Sequence, residues 1–162
     1  MTKIRIFHNV SADAIFGLNR VFDPAAEGHV RRAATGERHP LVPVFEYEAP
    51  GDPATDTERL LHSAFELFNV GHDPDFGVPD PTALAYRARK LRSVSKGDVV
   101  QVGDNAYACE SRGWAAVGGE SMFVVDGKRA EHLIRERYQL KPHEPLCLTV
   151  PQPQQEAELD LE

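Results

Sequence analysis

The sequence predicts an α+β fold, a small, curved, mainly antiparallel sheet with a meander around residues 98–125, flanked by about three helices. Three observations carry that expectation. Short alternating runs punctuated by Gly, Asp and Asn recur between Asp98 and Val125, as strands joined by tight turns do. Leu60, Leu61, Ala64, Phe65 and Phe68 form an apolar stripe at three-to-four spacing, which predicts a helix packed across the sheet. Two further helical patterns open at Asp80-Pro81 and at Lys128.

The chain has 162 residues, 41% hydrophobic and 27% charged, an ordinary composition for one soluble domain with a real core. Residues 1–150 read as that domain. Residues 151–162 are Pro- and Gln-rich, then acidic, and read as a disordered tail.

In chain order, residues 3–9 alternate like a strand, with Ile4 and Ile6 on one face and Arg5 and Phe7 on the other. Ser11 to Pro40 offers a cap at Ser11 to Asp13 and a short apolar stretch, then reads as a long loop, functional or mobile. Leu41 to Glu48 is a second strand, with Pro43 expected at an edge or at the strand's start because it cannot donate to a ladder. Thr55-Asp56-Thr57-Glu58 has capping-box spacing ahead of the apolar stripe, and Gly71 suits a left-handed position after it. The turn-forming stretch from His72 to Pro79 pairs acidic residues with a histidine, but the ligand spacing of a calcium loop is incomplete. Asp80 with Pro81 is a cap followed by proline at the first helical position, and Leu84, Ala88 and Leu91 are expected to share the inward face. Strands follow on both sides of Gly103-Asp104-Asn105, then at 114–117 and 121–125. The helix from Lys128 places Ala130, Leu133, Ile134 and Tyr138 inward, and Pro145 to Val150 is a last strand.

A net charge of −7 argues against a protein that coats nucleic acid by bulk electrostatics. There is no apolar run long enough to span a membrane, and the start lacks the apolar core of a signal peptide, so a cytoplasmic location is expected. Cys109 and Cys147 sit in apolar, strand-like runs and read as buried free thiols. No Walker loop or Rossmann glycine pattern occurs, the seven histidines show no metal-ligand spacing, and no cofactor or metal is expected. Ser93, Ser95 and Ser111 lack a nucleophile elbow and are expected to bond to backbone, while Asp98 fixes the turn into its strand or pairs with Arg92.

One concentration of positive charge stands out: Arg87, Arg89, Lys90, Arg92, Lys96 and, across the hairpin, Arg112. With Tyr86 and Trp114 beside it, such a patch can follow a phosphate backbone or stack a base. The competing reading is a solvated face whose Lys and Arg favour a helix C-terminus. Trp114 likewise reads as a packing anchor.

The run Ser93-Val94-Ser95-Lys96-Gly97-Asp98-Val99-Val100, then a hairpin ending in Glu110-Ser111-Arg112-Gly113-Trp114, with Phe68-Asn69 near the end of the upstream helix, resembles the YodL-like family. These are small domains of proteins encoded by plasmids, integrative elements and phage-like regions. The resemblance covers residues 55–117 and, loosely, the N-terminal strands. It implies a mobile-element context and supplies no catalytic residues. The long segment 11–40 and the elements after Val125 depart from it. The expected function is therefore a non-enzymatic accessory protein of a mobile element that binds nucleic acid or a host protein. One alternative is an acidic anti-defence protein whose carboxylates mimic phosphates. Another is a hydrolase or transferase with a site in the 11–40 segment, involving Asp13, His29 or His39.

Overall fold

The computed structural model describes residues 1–11, 38–110 and 112–138. The remainder of the 11–40 segment, Ser111, Cys147, the strand expected at 145–150 and the tail lie outside the described residues.

Among the described residues, six strands form one sheet in the order β5-β4-β3-β1-β2-β6, and all but the last pairing are antiparallel. The first strand, β1 (Thr2–Asn9), is central, with β2 (Pro40–Ala49) on one side and β3 (Val99–Val102) on the other. Beyond β3 come β4 (Asn105–Cys109) and β5 (Trp114–Val117), a three-stranded meander. Its first turn has two residues, with Gly103 at φ +60 and Asp104 on the ordinary side of φ, so one positive-φ residue suffices. The expected meander stops there. The two-residue β6 (Phe123–Val124) crosses to the opposite edge and runs parallel to the start of β2, pairing Pro40 with Phe123 and Leu41 with Val124. A strand this short carries no sequence period, and its place is set by the Val125 amide bonding to the Leu41 carbonyl.

Pro43 sits at a bulge. Ile6 pairs with Phe45 and Phe7 with Pro43, so Val44 is the extra residue on β2. The proline, which has no N–H for a ladder, lies where the ladder is already interrupted.

The helix α1 (Thr57–Asn69) lays Leu60, Leu61, Ala64 and Phe68 on the sheet face formed by Ile4, Ile6, Val100 and Val102. Each fully buried aliphatic or aromatic side chain of this kind contributes about 1.5–3 kcal/mol relative to exposure. Phe65 is at the rim, edge-on to Trp114. Phe45, Tyr47, Phe68 and Tyr86 form an aromatic cluster, with Phe68 and Tyr86 centroids 4.4 Å apart. The capping box is not used. The N-cap is Asp56, whose carboxylate accepts the Asp52 amide and lies 3.4 Å from Arg59, while Thr57 bonds back to the Pro53 carbonyl. That amide bond leads the influences holding the Asp56 carboxyl below its usual range; desolvation opposes it, and the Arg59 charge and hydrogen bond add to it.

Gly71 corrects a second expectation. Its φ is not positive; a Cβ there would lie 2.5 Å from the Leu67 carbonyl oxygen and 3.0 Å from the Leu67 Cα. Glycine is required by close backbone approach, since the Gly71 amide closes the helix end onto Glu66 and Leu67. Gly71→Ala is expected to lower stability by about 1–3 kcal/mol, as overpacking does. The denaturant midpoint reads this, and an unchanged midpoint would count against it.

The helix α2 (Pro81–Ala88) is capped by Asp80, whose carboxylate accepts the Thr82 amide at 2.8 Å. Its inward residues are Ala83 and Tyr86 instead of Leu84 and Ala88; Leu84 is 48% exposed. Lys90, at φ +63, turns the chain after the helix, so Leu91 reaches the core outside the helical period. The last helix, α3 (Gly127–Tyr138), buries Ala130 and Ile134 against Val125, with Leu133 half-buried.

Candidate functional site

Six polar side chains are buried among the described residues, and all but Thr2 belong to one end of the sheet: His8, Asn9, Ser11, His39 and Asp98. β1 delivers His8 and Asn9 there, the entrance to β2 brings His39, and the entrance to β3 brings Asp98. Asp98 is the centre. Its carboxylate accepts Arg92 Nη1 at 2.5 Å, Arg92 Nη2 at 2.7 Å, the Asn9 amide at 2.8 Å and the Ser95 amide at 2.8 Å. The bidentate fork suits a guanidinium, and four bonds satisfy the buried charge. Burial alone would raise the Asp98 pKa; the Arg92 charge and hydrogen bonds, with help from His8 and the Ser95 amide, hold it below the usual carboxylate range.

His8 lies beside this pair. Its Nε2 is 2.6 Å from the Tyr86 hydroxyl, which donates at 2.6 Å to the Arg92 carbonyl. A phenol has one proton, so His8 must donate through Nε2 and is neutral in that tautomer. Burial, reinforced by the Arg92 charge against an opposing effect of Asp98, pushes His8 down to about 3. Asn9 bridges outward, its side chain 3.1 Å from His39 Nδ1 and its Oδ1 accepting the Ser11 amide. His8, Tyr86 and Asp98 expose no surface, so no substrate atom reaches them in this conformation. Burial, aided by the Asp98 and Glu110 charges, pushes the nearby Cys109 thiol up to about 12, which leaves it protonated and unreactive at neutral pH. No group of three or more metal-ligating side chains occurs among the described residues. The arrangement holds the sheet end together.

The same geometry accounts for half of the basic cluster. Arg87 donates to the Phe68 carbonyl at 2.8 Å and to Ser93 Oγ at 2.6 Å, capping from α2 the C-terminal carbonyls of α1, a helix with no basic residue in its own last turn. Arg89 donates to the Val44 carbonyl at 3.2 Å and lies 4.7 Å over the Phe45 ring. Arg92 holds Asp98, the Asn9 and Ser93 carbonyls and Ser95 Oγ. Ser93 and Ser95 therefore accept from arginines with their hydroxyls, where bonds to backbone had been expected. Tyr86 is wholly buried and stacks no base. Lys90 and Arg112 are exposed, Lys96 is partly so, and Trp114 is half-buried against Phe65.

A second feature lies where the chain leaves the C-terminal end of α1. Residues 71–80 form a loop closed by backbone bonds from Asp73 to Val70, Phe76 to Asp73 and Asp80 to Gly71. A short 3-10 turn (Pro74–Phe76) within it is capped by Asp73, which accepts the Asp75 amide. The loop holds Phe76 70% and Val78 96% exposed, beside a groove of about 370 Å³.

No family model, curated protein or solved structure matches the chain.

The sequence reading missed the partners of Asp98 contributed by β1 and the exposure of Phe76 and Val78. The second had a signal: two large apolar residues among Pro, Gly and Asp, where a core residue is out of place. The first had none, because Asn9 and Asp98 lie far apart in sequence. No helix among the described residues is long and apolar enough to cross a membrane.

Proposed function

We propose that this chain is a non-enzymatic accessory protein, of the mobile-element kind its sequence resembles, that acts by binding a protein. The observation carrying this reading is the pair Phe76 and Val78, held out to solvent on a loop with both ends fixed. Arg87, Arg89 and Arg92, half of the cations that favoured a nucleic-acid partner, are engaged on internal acceptors. Of the rest of the cluster, Lys90 and Arg112 are exposed and Lys96 is partly so, against a net charge of −7. A cluster reduced in this way offers a phosphate backbone few contacts, which favours a protein over a polyanion. The anti-defence alternative is a special case of this reading, since a protein that normally takes phosphates is itself basic.

Retention on single- and double-stranded oligonucleotides at low salt tests the choice. The expected result is no retention by the wild-type chain. Salt-dependent retention that is lost in Lys90→Ala/Lys96→Ala/Arg112→Ala would assign the partner to nucleic acid and overturn the reading. Arg87 and Arg92 are poor probes, because their removal disturbs the fold.

A further inference from the structure

We infer that the groove between the C-terminal half of α1 and the 71–80 loop is the docking site for a basic segment of a partner protein, anchored by an apolar side chain. The inference rests on the protein-binding reading above and names the partner's chemistry. Leu67 and Val70, both half-buried, contribute apolar lining, and Phe76 and Val78 stand exposed beside them. Scattered exposed apolar residues need no explanation, but two on one braced loop lining a groove with Leu67 and Val70 form a patch. The brace matters, because a loop whose backbone is already fixed loses little freedom when a partner covers it.

Charge selects the occupant. Glu66 and Asp73 line the groove, Asp75 and Asp80 belong to the same loop, and no lysine or arginine is among the lining residues described. The nearest cationic group on α1 is His62, 3.4 Å from Glu66 and charged only when protonated. Such a rim attracts Lys or Arg flanking an apolar anchor and repels acidic segments. It also disfavours an anionic lipid surface. A second copy of this chain, at −7, meets it with net repulsion.

The test uses the full chain and fluorescence anisotropy with short labelled amphipathic peptides: Lys/Leu at three-to-four spacing, its Glu/Leu counterpart, and a Lys/Ser control without apolar anchors. The Lys/Leu peptide is expected to bind in a salt-dependent way, with both controls about tenfold weaker or more. Phe76→Ser/Val78→Ser and, separately, Glu66→Gln/Asp75→Asn are each expected to weaken it by about tenfold, as loss of an anchor or of complementary charge does. These side chains are exposed, so circular dichroism should be unchanged. Equal binding of the Glu/Leu peptide, or Lys/Leu binding indifferent to both variants, overturns the inference. So does a dimer in light scattering that Phe76→Ser dissolves, since the occupant is then a second copy. Failure of every peptide, while Phe76→Ser still abolishes capture of a protein from lysate, overturns the basic chemistry and leaves the protein-binding reading standing. Failure of both removes the two together.

Discussion

Asp98→Ala is expected to destabilise the domain by about 3–5 kcal/mol, because it leaves the Arg92 guanidinium without its counter-charge at the buried end of the sheet. A domain of this size has about 5–15 kcal/mol in total, so the variant should be partly unfolded or have a sharply lowered melting temperature. Arg92 would lose both oxygens of its bidentate pair, and the Asn9 and Ser95 amides would lose their acceptor. The discriminating measurement is a double-mutant cycle. If the loss comes from an uncompensated charge, Arg92→Met/Asp98→Ala should fall well short of the sum of the two single effects. Additive effects would mean that the pair is not coupled as its geometry indicates.

Acidification is expected to remove several kcal/mol through His8. The folded chain keeps this imidazole neutral down to about 3, whereas an unfolded chain protonates it at the ordinary value of 6.5. Between those values the unfolded state holds the extra proton, so stability falls as pH falls, by about 1.4 kcal/mol per pH unit at full effect. Asp98 acts lower. Its folded pKa is depressed, so its contribution is fully present above the ordinary carboxylate value of 3.8 and is lost as pH falls through the folded value. Denaturant midpoints measured from pH 7 to pH 4 cover the window of His8. His8→Gln, which keeps a donor toward the Tyr86 hydroxyl, should flatten that window; an unchanged slope would assign it to other groups.

How far the sequence carried the fold varies by element and by physical cause. The α1 stripe and the Asp80-Pro81 cap rest on contacts within a few residues, and both were legible. The inward face of α2 was misjudged because Lys90 takes a left-handed turn that no period announces, which moves Leu91 into the core by another route. Gly71 was recognised as necessary but for another reason, since the 2.5 Å approach to Leu67 exists only once the helix end has closed. The hairpin after β3 was legible in its turn residues, and a strand at 121–125 was expected, whereas its place beside β2 was not legible, because that pairing spans about half of the chain.

The stretch from Arg92 to Trp114 separates the two levels. Sequence alone specifies its hairpin, its entry turn and the alternation that buries Val100 and Val102, since these follow from neighbouring residues and side-chain period. Whether Arg87 and Arg89, just upstream, and Arg92 within it face solvent or protein is decided by the acceptors that the fold brings to them. Those are the carbonyls freed at the end of α1 and at the β2 bulge, and the carboxylate of Asp98, whose charge β1 helps to satisfy. A guanidinium in sequence reads the same whether it faces phosphate or an orphaned carbonyl. Only the assembled fold brings the carbonyl within 3 Å, and that proximity makes Arg87 a helix cap.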